Sequence, residues 1–320
     1  MKQSAWCPAA AVETMKLRAR MLSGIRAFFS KQGILEVETP LLSLAGTTDP
    51  NIQSFQVTAA TGWRYLQTSP EFAMKRLLAS GCGDIYQICK AFRRDELGCY
   101  HNPEFSLLEW YRTGFDHLRL MGEAEALLRH LLMPRRTLNE SLRLSYRSAC
   151  TRYADLDPVR ASKTDVANAV RAHGIDVQGR LSVDECLDLL FAQVIAPSFS
   201  RDRLTFICDF PASQASLARI RPGNPAVAER FEVFYGPLEL ANGFHELTDP
   251  AEQRRRFERE REQRIFVGLT DMPTDERLLS ALEHGLPECA GVALGLDRLL
   301  MLMAGLERFD EVLAFPWKRA

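Results

Sequence analysis

Residues 92–112 read FRRDELGCYHNPEFSLLEWYR, and the segment divides into the end of one extended run, a polar loop and a second extended run. With the residues just upstream, DIYQICKAFRR (84–94) and EFSLLEWYR (104–112) flank DELGCYHNP, which predicts an antiparallel strand pair joined by a long loop. Strand alternation places Phe105, Leu107, Glu109 and Tyr111 on one face, and Ser106, Leu108 and Trp110 on the other. A buried carboxylate needs a partner, and Glu109 beside Tyr111 suits an ammonium group, which wants charge and directed acceptors together. The plainer alternative is a surface ladder with a structural aromatic. On the same alternation Arg93 and Asp95 share a face, where a guanidinium can grip a phosphate or carboxylate through two hydrogen bonds; the alternative there is a salt-bridged loop.

Upstream, residues 11–32 space Val12, Met15, Leu22, Ile25, Phe28 and Phe29 as an amphipathic helix that Gly33 ends. GILEVETPLL (33–42) follows as a short strand that Pro40 keeps from being central. A short helix is expected over EFAMKRLLAS (71–80). Downstream, helices are expected at 117–132, 163–173 and 183–195, then strands at TFICDF, SLARI and FEVFYGPLEL. Two more helices follow, at 250–266 and near 274–284. In the first of these the run EQRRRFEREREQR alternates acids and bases at i, i+4 spacing, which predicts a solvated face rather than an RNA-binding one. AGVALGL then feeds the helix DRLLMLMAGL. The pattern is that of a mostly antiparallel sheet braced by helices, an α+β fold.

Two further stretches carry candidate chemistry. In ELANGFHEL (239–247) Glu239 and Glu246 lie seven apart, which puts them on opposite faces of an uninterrupted strand; a turn or bulge at Asn242-Gly243 is expected to bring them together. Two converging carboxylates suit a hard divalent cation bridging phosphates, Mg²⁺ beside ATP. His245, a lone histidine, is left without a role. GVALGLDR (291–298) lacks the three-glycine dinucleotide fingerprint, but Gly295 allows close backbone approach, Asp297 can cap the next helix and Arg298 projects from its first turn.

Composition narrows the classes. The 320 residues are 46% hydrophobic and 25% charged, with 40 Lys+Arg against 41 Asp+Glu, so the chain has core enough to fold without metals or disulfides and no basic excess for long nucleic acids. The start has no signal-peptide core, and no run of about 18 apolar residues occurs, which predicts a cytoplasmic protein with no membrane partner. The eight cysteines include no C-x-x-C pair and are expected to be reduced core thiols.

In this order the segments resemble the three signature motifs of class II aminoacyl-tRNA synthetases of the lysyl type: motif 1 at about 11–42, motif 2 at about 84–113 and motif 3 at about 290–305, within one catalytic domain over 1–320. The resemblance implies the class II catalytic fold, an antiparallel β-sheet flanked by helices. It also implies that Arg93 holds the α-phosphate and substrate carboxylate, and that Arg93 and Arg298 are the catalytic cations. Arg94, Asp95, Asn102, Phe105, Leu240 and Gly295 join them around ATP, with Phe105 under adenine and Arg298 above it. Glu239 and Glu246 bind Mg²⁺, and Glu246 also lies near the amino acid. Ser69, Pro70 and Glu71 of TSPEF meet the substrate amine, while Glu109 and Tyr111 read its distal ammonium. Motif 1 implies a homodimer.

Two features point away from tRNA. Only about ten residues precede the motif 1 helix, so no OB-fold anticodon domain is expected. Stand-alone members of this family transfer lysine, preferably (R)-β-lysine, to a lysine of elongation factor P, and that partner is implied here. Ala293 stands where lysyl-tRNA synthetases have glycine, a change of one methyl group that reshapes the amino-acid pocket. Arg94-Asp95 stands where the family more often has Asn-Glu, so the shorter Asp95 must still reach the adenine edge or a water must fill the gap. The competing readings are a truncated synthetase that charges tRNA and an idle paralogue that senses amino acids; the second predicts broken ATP or metal positions, whereas Arg93, Glu239, Glu246 and Arg298 are all present.

Overall fold

α1 (Val12–Ser30) buries the stripe Thr14, Leu17, Met21, Ile25 and Phe29, spaced at three and four residues. The apolar face is rotated from the one expected: Val12 is exposed, and Met15, Leu22 and Phe28 are half-buried. Gly33, at φ +69°, ends the helix in the left-handed region, its N–H bonded to Ser30 O at 3.1 Å. The computed structural model describes residues 6–133, 135–177, 179 and 181–320. It divides into two units, one running to Gly114 and resuming at Thr248, the other Phe115–Leu247.

In the first unit β1 (Leu35–Glu36) is two residues long and pairs in parallel at the edge, as Pro40 requires. β2 (Leu42–Ser43), β3 (Gln56–Ala59) and β4 (Gly62–Leu66) form a small sheet in the order β2-β4-β3. After α2 (Glu71–Ala79) come β5 (Ile85–Phe92) and β6 (Glu104–Thr113), antiparallel from Ile85↔Tyr111 to Phe92↔Glu104, as expected. Their far face packs on α1: the Phe29 ring stacks on Tyr86 at 4.5 Å and tilts against Trp110 at 5.5 Å. Burying a ring of this size is worth roughly 2–3 kcal/mol, so this contact fixes which face of β6 looks away from the core.

The second unit begins with α3 (His117–Leu132), capped by Asp116, whose side chain accepts from Arg119 N. β7 (Leu142–Ser145), α4 (Tyr146–Ala154), α5 (Lys163–Ala172) and α6 (Val183–Leu190) follow, and α6 runs into a π-helical turn over Phe191–Ile195. Capping boxes at Ser162 and Ser182 start α5 and α6. β8 (Leu204–Pro211), β9 (Ile220–Arg221), β10 (Val227–Tyr235) and β11 (Leu238–His245) complete a sheet ordered β11-β10-β8-β7, with β9 on the end of β10. Of SLARI (216–220) only Ile220 is strand, and Ala218 makes an isolated bridge to Glu246. Neighbours are antiparallel except β7 and β8. Tyr146, Phe191, Phe199, Phe210 and Phe234 anchor the core beneath α4–α6.

The first unit resumes with α7 (Pro250–Phe266), capped by Asp249, α8 (Glu276–Gly285), β12 (Cys289–Gly295) and α9 (Leu296–Ala304). β12 pairs antiparallel with β6 from Cys289↔Thr113 to Gly295↔Leu107, giving the order β1-β5-β6-β12. The expected solvated face of α7 is half wrong. Gln253, Arg256, Phe257 and Arg264 are buried, and the Arg264 guanidinium donates to the carbonyls of Thr270 (3.0 Å) and Asp49 (2.9 Å) and to Gln53 Oε1 (2.9 Å). Carbonyl oxygens satisfy this buried cation in place of a counter-ion, an arrangement that leaves no mark in charge periodicity.

Asp297 likewise departs from its expected role. Gly295 is the N-cap residue of α9, with no side-chain cap bond, while the buried Asp297 carboxylate accepts from Ser106 N of β6 at 2.6 Å and pairs with Arg18 of α1. One carboxylate thus ties together the three segments that the sequence singles out. Among the described residues no strand precedes α1 and no helix is long and apolar enough to cross a membrane. All eight cysteines are free; Cys150, Cys186 and Cys289 are buried, but Cys82 and Cys99 are exposed rather than in the core.

Candidate active site

The face of β6 turned from α1 carries the expected pair. Glu109 and Tyr111 are each 2% exposed, and Tyr111 Oη donates to Glu109 Oε1 at 2.7 Å. Ser69, in the turn before α2, donates its Oγ–H to Glu109 Oε2 at 2.7 Å and accepts from Glu71 N at 3.0 Å. A carboxylate that receives hydroxyl hydrogens on both oxygens is fixed in orientation, with its acceptors aimed as an ammonium group needs. Residues paired across strands share a face, so Gln87 on one side and Ala293 on the other flank Glu109 directly. Gln87 is buried and accepts from Thr39 at 3.0 Å; Ala293 is half-buried, its methyl beside the carboxylate. Cys89, on the same face, has its thiol pushed up to about 12 by burial and then by the Glu109 charge.

Pro70 caps α2 and places Glu71 in its first turn, where Glu71 Oε1 accepts from buried Lys75 at 2.7 Å. The carboxylate expected to meet an amine therefore already has an internal cation.

The alternation proposed for Arg93 and Asp95 fails, because β5 stops at Phe92 and the chain turns. Arg93 lies with its Cζ 5.1 Å from the Phe105 ring centre and pairs with Glu96 at 3.2 Å; its Nε is buried without a hydrogen-bond partner among the described residues. A cation over an aromatic face with a donor still to be satisfied suits an anionic ligand. Asp95 instead points outward and pairs with Arg94 at 3.1 Å. Asn102 is turned to the backbone: it donates to Glu104 O at 2.7 Å and accepts from Trp317 N at 3.0 Å, so its amide pins the loop to the chain end. Arg298 donates to Tyr100 O at 3.3 Å and to His101 Nε2 at 2.7 Å, closing the same loop onto α9. Gly295 lies opposite Leu107 at φ -71°, a value any residue adopts.

In the second unit the expected turn at Asn242-Gly243 does not exist; both residues sit inside β11, opposite Glu232 and Phe231, and the hairpin turns at 236–237. The irregularity lies two residues before Asn242, at Leu240. Val233 pairs with Ala241 and Phe234 with Glu239, so Leu240 is an extra residue, a β-bulge. One inserted residue converts the spacing of seven into an even one, and alternation then puts Glu239, Asn242 and Glu246 on one face. Glu232, the cross-strand partner of Asn242, joins them. Burial raises the Glu232 carboxyl above the usual range, Arg230 opposes this, and the Glu239 charge adds to it. Asn242 Oδ1 is buried without a hydrogen-bond partner among the described residues. Carboxylates and an amide oxygen are hard donors of the kind Mg²⁺ or Ca²⁺ takes, but among the described residues Glu232, Glu239 and Glu246 share a face without meeting as a group within 4.8 Å. Glu232 and Asn242 were missed because neither stands in a recognisable pattern without the bulge.

Residues 7–319 match the family model described as tRNA synthetases class II (D, K and N). The chain belongs to this family. As a class II synthetase-type enzyme it uses ATP, and the match runs through both units. Curated relatives cover it from end to end. Elongation factor P-(R)-beta-lysine ligase of Edwardsiella ictaluri is 48% identical over 325 residues, 99% of each chain. The protein of the same name from Proteus mirabilis is 48% identical over 98% of each chain, and that from Vibrio cholerae 46% over 100% of each.

Proposed function

We propose that this class II enzyme activates lysine, with a preference for (R)-β-lysine, as an aminoacyl-adenylate and transfers it to a lysine side chain of elongation factor P. The observation that carries the reading is the end-to-end similarity, at 46–48% identity, to relatives that bear the name of that ligase. The Glu109 site supports the choice of a diamino acid, since a buried carboxylate braced by Tyr111 and Ser69 is complementary to a second ammonium.

In the first step a substrate carboxylate oxygen attacks the α-phosphorus of ATP and pyrophosphate leaves. Arg93, with Phe105 beside it, holds the nucleotide and offsets charge on the α-phosphate, and Arg298 supplies the second cation once the loop bonds to Tyr100 and His101 are exchanged for ligand. Glu239 and Glu246, with Glu232 and Asn242, would hold the Mg²⁺ that accompanies ATP and neutralises its phosphates. In the second step the acceptor Nζ attacks the adenylate carbonyl, an amide bond forms, a proton is lost and AMP leaves. No protein nucleophile is needed, because positioning and charge carry both steps.

The two units act as one catalytic domain, and the enzyme works in the cytoplasm as a homodimer. Supporting the dimer, Leu35, Leu41 and Leu42 at the end of motif 1 and Leu44 just after it are all 40% or more exposed, apolar surface that a partner would cover. The test is to incubate the enzyme with ATP, labelled lysine and either elongation factor P or bulk tRNA. Label on the factor is the expected result; label on tRNA alone overturns the reading in favour of a tRNA-charging enzyme.

A further inference from the structure

His117, at the first position of α3, is 2% exposed, and neither ring nitrogen has a hydrogen-bond partner among the described residues. Asp209 Oδ1 lies 3.9 Å from its Nε2. Beneath it, Glu229 of β10 and His245 at the end of β11 are linked by a 2.6 Å contact between Oε2 and Nδ1. The His117 and His245 rings are stacked at 6.5 Å between centres. One ligand atom from each of His117, Glu229 and His245 lies within 4.8 Å of the other two. All three residues belong to one unit and to the face of β10 and β11 opposite Glu239 and Glu246, so they are separate from the oxygen-donor cluster.

We propose that His117, Glu229 and His245 form a binding site for one divalent transition-metal ion of the Zn²⁺ class. Two imidazoles and one carboxylate are a donor set such ions prefer and Mg²⁺ does not. Donors around a tetrahedral Zn²⁺ sit about 3.3 Å apart, given bonds of about 2.0–2.1 Å, so a spread of up to 4.8 Å must draw in while the 2.6 Å contact between Glu229 and His245 opens to admit the ion. Burial keeps His117 below the ordinary imidazole range and therefore neutral, the form that binds metal. An ordinary His245–Glu229 hydrogen bond explains two of the three residues but leaves a buried imidazole with both nitrogens unsatisfied, which is the feature a metal accounts for. Arg221 pairs with Asp209 at 2.7 Å and with Glu229 at 3.3 Å, so Glu229 would move from the guanidinium toward the ion, with Asp209 near enough to serve as a fourth ligand. The ion would fasten the first turn of α3 to β10 and β11.

The test uses the full chain, stripped with a chelator and kept in excess Mg²⁺ so that carboxylate-only sites are filled. Co²⁺ is added as the probe, then displaced by Zn²⁺. The proposal predicts one Co²⁺ per chain, visible d–d absorption, two hyperfine-shifted exchangeable imidazole N–H proton resonances and loss of all three on adding Zn²⁺. His117→Leu, which keeps an apolar volume at the site, and Glu229→Gln should each weaken Co²⁺ binding at least tenfold. Absence of the imidazole resonances in the unmodified chain overturns the proposal whether or not the variants fold, as does His117→Leu that folds and binds Co²⁺ unchanged.

Discussion

Glu109 receives a hydroxyl hydrogen on each oxygen while Ala293 stands across the strand from it, and we propose that these two positions set the selectivity of the enzyme. Glu109→Gln keeps the shape but removes the charge, and hydrogen bonds to charged groups are worth about 1.5–3 kcal/mol. The expected outcome is a loss of roughly 10- to 150-fold in kcat/KM for lysine in ATP–pyrophosphate exchange, with KM for ATP unchanged. A matching rise in KM for ATP would place Glu109 with the nucleotide instead. Ala293→Gly deletes one methyl beside the carboxylate, a change worth about 1–3 kcal/mol in a packed pocket. It should raise exchange with α-lysine relative to β-lysine, roughly tenfold; an unchanged ratio counts against a role for this methyl. The Glu109–Tyr111 pair was legible because residues two apart on a strand share a face, and no tertiary knowledge is needed to see it. The partners of Asp95, Asn102 and Glu71 were not legible. Each is decided by where a loop or helix folds back, and Asn102 in particular is fixed by the backbone of Trp317, 215 residues away.

A helix that reads as charged all round can still have a buried side, as α7 does. Glu260 on that helix accepts from Thr48 and is partly buried, and burial pushes its carboxyl from 4.5 up to about 7. Because the folded value lies above the unfolded one, the native state binds the extra proton. The associated stability is therefore fully present below about pH 4.5 and is lost as pH rises through about 7. Discounted for partial exposure, the effect is about 2 kcal/mol. Glu260→Gln should abolish this slope in urea unfolding between pH 5 and pH 8 and gain on the parent as pH rises, whereas parallel stability profiles would show that Glu260 is already solvated. Most helices and the β5–β6 pair could be read from periodicity and capping residues. The Leu240 bulge could not, because a bulge is a relation between two strands; only the odd spacing of Glu239 and Glu246 hinted that the strand was interrupted.

For the molecule as a whole, the order of three motifs fixed the class, and the family match over residues 7–319 agrees with it. The proposed dimer rests on the exposed Leu35, Leu41, Leu42 and Leu44. Sedimentation should give a particle of about twice the 36.2 kDa of one chain, and Leu42→Glu with Leu44→Glu should reduce it to a single chain. A parent protein that sediments at 36.2 kDa at micromolar concentration would remove the dimer from the account. The central claim is that the Glu109 site selects a diamino acid destined for a protein, and the intact mass of elongation factor P reads it most directly. After incubation with ATP and enzyme, the factor should gain one lysyl unit, faster from (R)-β-lysine than from lysine, and Glu109→Gln should lose the gain. A factor of unchanged mass with either amino acid, or a full gain with Glu109→Gln, would contradict it.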